Sequence, residues 1–111
     1  MNTNLVWFEI PGNDAEKARS FYGDLFGWSY TDFGGDYQMV NDANPGGAVT
    51  PGEGVAPVAY FSTADIDASA ARVKELGGTA PDPQEIPGVG RMAVCRDDQG
   101  TTFGLYEPAQ A

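Results

Sequence analysis

Residues 7–28 read WFEIPGNDAEKARSFYGDLFGW, and this stretch predicts a strand, a turn and a helix in succession. Side chains alternate along a strand, so Trp7 and Glu9 point to one face and Phe8 points to the other. The Pro-Gly pair at residues 11–12 predicts the end of the strand, because proline lacks the N–H that a ladder needs. The stretch therefore indicates which side chains share a face before any tertiary contact is considered.

A helix follows the turn, because apolar residues recur at the spacing of one helix face. Asn13 is the predicted cap, with Glu16 three residues later as its capping-box partner. Gly27 predicts the end of the helix, since glycine readily adopts the left-handed conformation that closes helices. The predicted apolar face consists of Ala15, Ala18, Tyr22, Leu25 and Phe26.

A weaker copy of the same pattern begins about half the chain later. Residues 58–62 predict a strand, and Thr63 or Asp65 can cap the helix that follows. Asp14 lies 51 residues before Asp65, which indicates an internal duplication. The same offset aligns Trp7 with Val58, Glu9 with Tyr60, Leu25 with Leu76 and Gly27 with Gly78.

The remaining segments complete two modules of the type βαβββ. Short strands are predicted at 29–33, 37–41 and 48–50 in the first half, and near Thr79, at 91–96 and at 101–107 in the second. A loop is predicted at 81–90 and a hairpin turn at 97–100. The sequence thus predicts a single α+β domain, with one module at about residues 1–52 and another at about residues 56–111.

One face of the predicted strands combines large aromatic residues with polar groups, as the lining of a ligand pocket does. Alternation places on it Trp7, Glu9, Val58, Tyr60, Gly104 and Tyr106. Tyr37, Met39 and Met92 lie on strands that can border the same face, although the pattern does not fix their orientation. We predict that all of these residues contact a ligand. Trp7 is either a stacking platform for that ligand or a plug that fills the cavity.

Glu9 is the candidate catalytic residue, because a carboxylate removed from water is suited to proton transfer. The alternative is a structural role, in which Glu9 accepts a hydrogen bond from a neighbouring strand or pairs with Arg91 or Arg96. Glu9 and Glu107 can also hold a hard cation together. Against that, Glu107 has the opposite parity to Tyr106 and is expected to point away.

The composition disfavours several classes of function. Six basic and 16 acidic residues give a net charge of −10, which argues against nucleic acid and anionic membranes as partners. The chain has no histidine, so it lacks Ser-His and Cys-His nucleophile pairs and the commonest ligand of transition metals. Its one cysteine, Cys95, cannot form an internal disulfide and fits a reducing compartment. With no apolar run of membrane-spanning length, we expect a cytoplasmic protein.

Three motifs carry a resemblance that covers nearly the whole chain, namely FEIPGNDAEKARSFYGDLFGW, YFSTADIDASAARVKELGG and RDDQGTTFGLYEP. In this order they resemble the glyoxalase/bleomycin-resistance/extradiol-dioxygenase superfamily, whose members are also called vicinal oxygen chelate proteins. The resemblance implies paired βαβββ modules that form an open, cupped, barrel-like mixed sheet with helices on the outside. It also implies a homodimer, because relatives are often dimeric.

Many members of that superfamily bind a divalent metal through His or Gln on the first strand of each module and Glu on the last strand. The corresponding positions here are Trp7, Val58 and Gly104, and none of these side chains can be a metal ligand. The resemblance is therefore to the metal-poor, glyoxalase-like branch and to the drug-binding members. We predict no metal and no cofactor.

The sequence leaves three functions open. The first is the binding of a small hydrophobic or planar molecule in a central cavity without a metal. The second is a metal-independent isomerase or lyase that uses Glu9 as acid or base. The third is a metal-dependent lyase or dioxygenase with atypical ligands. We predict the first, because the motifs of the fold are intact while the usual metal positions are replaced.

Overall fold

The computed structural model describes residues 3–34, 37–53 and 56–109. The chain divides into two compact units. The first unit is Trp7–Val58, and the second joins Met1–Val6 to Ala59–Ala111. In the second unit the N-terminal segment is held by Asn4, whose carbonyl accepts the N–H of Ser62 at 2.9 Å.

The order of elements is strand, helix and three strands, and this order occurs twice. The elements are β1 Leu5–Gly12, α1 Ala15–Phe26, β2 Tyr30–Asp32, β3 Gln38–Val40, β4 Gly46–Pro51, β5 Val58–Ser62, α2 Ile66–Glu75, β6 Gln84–Ile86, β7 Gly90–Arg96 and β8 Thr102–Pro108. The predicted α+β class and the two βαβββ modules are confirmed. Within the residues that the structure describes, neither helix is long and apolar enough to cross a membrane.

The two modules repeat the same strand connectivity. In the first, the order is β2-β3-β4-β1, with β2–β3 and β3–β4 antiparallel and β4–β1 parallel. In the second, the order is β6-β7-β8-β5, with the same antiparallel and parallel pairs. The last strand of each module can pair in parallel with the first because the chain returns through a helix and two further strands.

Both helices begin at an aspartate whose carboxylate accepts a backbone N–H three residues later. Asp14 Oδ1 accepts the N–H of Lys17 at 3.0 Å, and Asp65 Oδ1 accepts the N–H of Ala68 at 3.1 Å. The duplication is therefore visible in the capping geometry itself. The predicted cap at Asn13 is wrong, because helix α1 starts directly after Asp14, so Asn13 lies one residue too early.

Helix α1 is less buried than its spacing predicts. Ala15 is 5% exposed, whereas Leu25 and Phe26 in the last turn are 59% and 56% exposed. The ring of Phe26 stacks on Tyr22 with centroids 5.9 Å apart, and both rings also pack against Trp28. Gly27 ends the helix in the left-handed conformation at φ 75°, as predicted.

Strand β1 is longer than the sequence predicts. It continues through Pro11 and Gly12, which pair with Thr50 and Pro51 of β4. Proline is tolerated in a strand where its missing N–H is not needed by the neighbouring strand. The predicted end of the strand at Pro11-Gly12 is therefore wrong.

Strand β6 lies inside the segment 81–90, which the sequence predicts to be a loop. It pairs with β7 in antiparallel fashion, with Gln84 opposite Met92. Thr79, where a short strand is predicted, forms only an isolated bridge with Arg96. The second strand of the second module is thus displaced, because its position depends on pairing with β7 rather than on local composition.

Helix α2 packs over β7 and β8 in the second unit. The core there is formed by Ile66, Ala93, Cys95 and Leu105. Cys95 is 1% exposed, and burial raises the pKa of its thiol. A thiol that is both buried and protonated is unreactive, in agreement with the absence of a basic cluster around it in the sequence.

Glu107 lies on the side of β8 that faces helix α2, opposite to Tyr106, as its parity predicts. Its Oε1 accepts the N–H of Ile66, the first helical residue, at 3.0 Å. Arg91 Nη1 lies 3.9 Å from Glu107 Oε2 and donates to Asp67 Oδ2 at 2.8 Å, while Arg91 Nη2 donates to Asp67 Oδ1 at 2.9 Å. These bonds hold the pKa of Asp67 below its usual value. Glu107 therefore connects β8 to the start of α2.

Candidate functional site

Three side chains of the first unit form a hydrogen-bonded chain. The indole Nε1–H of Trp7 donates to the hydroxyl of Tyr37 at 2.9 Å. The hydroxyl of Tyr37 in turn donates to Glu9 Oε2 at 2.7 Å. All three residues are part-buried, which strengthens each bond relative to one exposed to bulk water. This Trp7–Tyr37–Glu9 chain is the centre of the candidate site.

The strand register decides which neighbours share the face of the chain. Glu9 on β1 lies opposite Ala48 on β4, and Ala48 lies opposite Met39 on β3. Side chains opposite each other in a ladder point to the same side of the sheet. Met39 therefore lies on the same face as Glu9, and the hydrogen bonds place Tyr37 there too. The sequence pattern left the orientation of both residues open.

The ring of Trp7 lies over a glycine on the neighbouring strand. Gly46 is the ladder partner of Trp7, and a Cβ at this position would be 3.0 Å from Cζ3 of the indole. On the other face, Phe8 approaches Gly47 in the same way. Glycine at these positions permits the large rings to pack directly against the backbone of β4.

Tyr37 is positioned by the turn between β2 and β3. The N–H of Phe33 donates to the carbonyl of Tyr37 at 2.9 Å, and the N–H of Tyr37 donates to the carbonyl of Gly34 at 3.0 Å. The ring of Phe33 meets that of Tyr37 edge to face, with centroids 6.2 Å apart. Phe33 is 47% exposed and is a site residue that the sequence reasoning missed. Gly34 is the sequence signal that could have identified it, because glycine after Phe33 favours a turn and a turn brings Phe33 next to Tyr37.

We name this surface of the first unit the aromatic face. It consists of Trp7, Glu9, Phe33, Tyr37 and Met39. It combines three aromatic rings and a thioether with one carboxylate, which is a suitable composition for contact with a flat organic molecule. Trp28 is not part of it, since its ring packs against Phe8 with centroids 5.8 Å apart.

The hydroxyl of Tyr37 is held in its protonated form. Burial, reinforced by the negative charge of Glu9 and by the hydrogen bond to it, raises the pKa of Tyr37 far above its usual value. The bond from Trp7 acts in the opposite direction, because a donor to the oxygen favours the phenolate. Near neutral pH, Tyr37 is therefore a neutral hydrogen-bond donor and not a base.

We expect the Tyr37→Phe variant to lose stability less steeply than the wild type at alkaline pH. Above about pH 10 an unfolded tyrosine releases its proton, whereas folded Tyr37 retains it. Each pH unit then favours the unfolded state by up to about 1.4 kcal/mol, a contribution that is absent in the variant. Urea unfolding measured at several alkaline pH values checks this, and parallel slopes for both proteins would contradict it.

In the second unit, Tyr60 on β5 and Gly104 on β8 are direct ladder partners. Tyr60 is 2% exposed, and a Cβ at Gly104 would overlap the ring carbons Cδ2 and Cε2 of Tyr60. The absence of a side chain at Gly104 therefore leaves room for the tyrosine ring. The resemblance assigns Gly104 to one of the superfamily's metal-ligand positions, and the space beside this glycine is occupied by the Tyr60 ring of the same unit.

Met92 and Tyr106 are also ladder partners and lie on the same side of the sheet as Gly104. The hydroxyl of Tyr106 donates to the carbonyl of Val89 at 2.7 Å, which ties the end of β8 to the turn before β7. Val58, the first residue of β5, is part-buried. Contact of a ligand with Val58, Tyr60, Met92, Gly104 and Tyr106 stays a prediction.

The structural role considered for Glu9 has partial support. Glu9 accepts from Tyr37, while Arg91 is engaged by Asp67 and Arg96 Nη1 donates to the carbonyl of Gly100 at 3.4 Å. Across residues 3–34, 37–53 and 56–109, no three acidic or cysteine side chains cluster as ligands of a metal ion. Catalysis by Glu9 and the absence of a metal both stay predictions.

Comparisons with known proteins converge on one superfamily. Residues 4–40 match the family model described as bleomycin resistance protein-like N-terminal. The chain is 33% identical over 115 aligned positions to "Putative glyoxylase CFP32" of Mycobacterium bovis. This alignment covers 95% of this chain and 44% of the relative. It is 30% identical over 132 positions to the anthracycline biosynthesis protein DauV of Streptomyces sp. (strain C5), covering 91% of this chain and 46% of the relative.

The family model, the relatives and the fold all indicate the glyoxalase/bleomycin-resistance/extradiol-dioxygenase superfamily. The resemblance predicted from its three motifs is thereby confirmed. The chain spans less than half the length of the curated relatives that it matches.

Solved structures share its fold at low sequence identity. The hypothetical protein BH1468 from Bacillus halodurans C-125 superimposes with a TM-score of 0.73 at 13% identity, covering 100% of this chain and 98% of that chain. Methylmalonyl-CoA epimerase from Mycobacterium tuberculosis superimposes with a TM-score of 0.66 at 17% identity, covering 96% and 88%. At such identities the likeness concerns the vicinal oxygen chelate fold alone.

Proposed function

We propose that this vicinal oxygen chelate protein binds a small planar or hydrophobic molecule against its aromatic face, without a metal. The observation that carries the proposal is the fixed orientation of Trp7. Its indole is held by Tyr37 at one edge and lies over Gly46, so the ring is ordered before any ligand arrives. A preorganised ring loses little conformational entropy on binding and therefore favours stacking.

The chemical composition of the aromatic face supports the same proposal. Met39 and Phe33 extend the apolar surface beside Trp7, and Tyr37 and Glu9 supply the polar groups that orient a ligand. Metal-free binding is favoured because Trp7, Val58 and Gly104 stand where the superfamily has its ligands. Assignment to the metal-poor, glyoxalase-like branch follows from the same substitutions. The homodimer and the cytoplasmic location stay predictions.

The name of the relative DauV indicates a first probe. It is an anthracycline biosynthesis protein, and anthracyclines contain a fused, flat aromatic ring system that suits a stacking platform. We therefore choose an anthracycline as the test ligand.

We expect an anthracycline to quench the fluorescence of Trp7 saturably in the Trp28→Phe variant. Because the chain has two tryptophans, this variant leaves Trp7 as the sole indole reporter. Isothermal titration calorimetry on the wild type and on Trp7→Ala gives the dissociation constant independently of fluorescence. We expect Trp7→Ala to weaken binding by about tenfold, the usual effect of losing one aromatic stacking partner.

The matched control is Trp7→Phe, which keeps only Trp28. Trp28 packs on Phe8 and Tyr22, away from the aromatic face, so its emission should not respond to the ligand. A saturable response from Trp28 but not from Trp7, or unchanged calorimetric affinity in Trp7→Ala, would contradict the proposed site.

A further inference from the structure

The aromatic face carries charge of one sign. Among the described positions that the ladders of β1–β4 place on this side of the sheet, Glu9 is the one charged residue. The first unit has two basic residues, Lys17 and Arg19, and both lie on helix α1 rather than on the strands. Since Tyr37 stays protonated, the charge next to Trp7 is that of the Glu9 carboxylate.

This charge decides which flat molecules can cover the face. A ligand on Trp7 and Tyr37 removes water from the adjacent carboxylate of Glu9, whose negative charge is not neutralised by the hydrogen bond from Tyr37. Removing water from a charged group is costly. A neutral hydrocarbon offers no compensation. An anion adds repulsion, because the strands of this unit provide no basic side chain to meet it. A cation offsets the lost hydration directly.

The rings favour the same charge. Indole and phenol faces attract a cation through their quadrupoles, and tryptophan does so most strongly. Tyr37 donates to Glu9 at 2.7 Å and Phe33 meets Tyr37 edge to face, so rings and carboxylate form one continuous surface. The overall charge of −10 adds a long-range attraction for cations.

We infer that the ligand of the aromatic face is a planar cation, such as an aromatic ring with a protonated or quaternised nitrogen, whose charge is met by Glu9 while its ring stacks on Trp7. This inference rests on the proposed function and specifies its ligand class. In this inference, the role of Glu9 is to select cationic ligands through its negative charge. Glu9 then needs no part in proton transfer.

The test compares two compounds of nearly equal size and shape. 1-Methylquinolinium carries a permanent positive charge, whereas 2-methylquinoline is neutral near neutral pH. Both are titrated into the protein of residues 1–111, and binding is followed by calorimetry and by Trp7 fluorescence in the Trp28→Phe background. We expect the cation to bind about tenfold more tightly than the neutral compound.

Two variants show whether Glu9 causes the preference. Glu9→Gln retains a side-chain oxygen that can accept from Tyr37, and its fold is checked by thermal unfolding. In this variant we expect both compounds to bind with nearly equal affinity. Asp24→Asn, on an exposed position of helix α1, removes the same unit of charge away from the face and should keep the full preference.

Each result has a definite meaning. Equal affinity of the two compounds for the wild type would overturn the cation inference and leave the proposed function standing. A preference that persists in Glu9→Gln would overturn the assignment to Glu9, because the overall charge would then account for it. If neither these compounds nor an anthracycline binds, the proposed function fails, and the inference fails with it.

Discussion

Gly104→Ala is expected to lower the free energy of unfolding by about 2–3 kcal/mol, the usual cost of overpacking a core position. The added methyl group would occupy the space of the Tyr60 ring, which lies directly opposite on β5. Tyr60 is 2% exposed, so its ring is enclosed by the protein rather than by solvent. Thermal unfolding should show a decrease in Tm of roughly 10–20 °C.

The cause can be isolated by a double-mutant cycle. In a Tyr60→Leu background the shorter, non-planar side chain leaves room for the methyl group, so Gly104→Ala should cost much less there than in the wild type. We expect an interaction energy of about 1–2 kcal/mol between the two positions. Additive effects would show that contact with Tyr60 is not what requires glycine at this position.

Gly90→Ala is expected to have a still larger effect, a loss of about 3–5 kcal/mol. Gly90 is buried at the start of β7 with φ 148°, a conformation that L-residues rarely adopt. Its Cβ would overlap the carbonyl oxygen of Glu107 and lie 3.0 Å from the amide nitrogen of Ala109. Backbone atoms of a paired strand cannot rotate away as a side chain can, so the strain persists. Urea unfolding with comparison of midpoints and slopes measures the loss.

Gly88→Ala is the matched control for Gly90→Ala. Gly88 also has a positive φ, 78°, but it is exposed and a Cβ there would have no neighbour within 4 Å. Only the backbone conformation then opposes alanine, at a cost of about 1 kcal/mol. If both variants lose the same amount, the close approach of β8 at Gly90 is not the dominant cause.

Much of the fold was predictable because it depends on residues that are close in sequence. The cap at Asp65, the stop at Gly27 and the hairpin at 97–100 each involve contacts within a few residues. The 51-residue repeat then indicated that the second half copies the topology of the first. Alternation correctly placed Trp7 and Glu9 on one face, since the period of a strand is fixed by its geometry.

The errors arose where pairing partners override local signals. Pro11 and Gly12 indicated an end to β1, yet β4 runs alongside and the strand continues to pair. The segment 81–90 looked like a loop, yet β6 forms within it because β7 offers an edge. Leu25 has the spacing of the packed helix face but is exposed, because helical periodicity does not say how far the sheet beneath extends.

The sequence by itself determined the two modules, the superfamily and the presence of Trp7 and Glu9 on a common face. Only the tertiary structure decided that Tyr37 joins them, since the bond from Trp7 spans 30 residues and depends on the register of β3 and β4. It likewise decided that the ring of Tyr60 lies over Gly104, and that Phe33 borders the site. The physical reason is that alternation fixes orientation within one strand, whereas contact between strands is set by register, which packing and turns specify together.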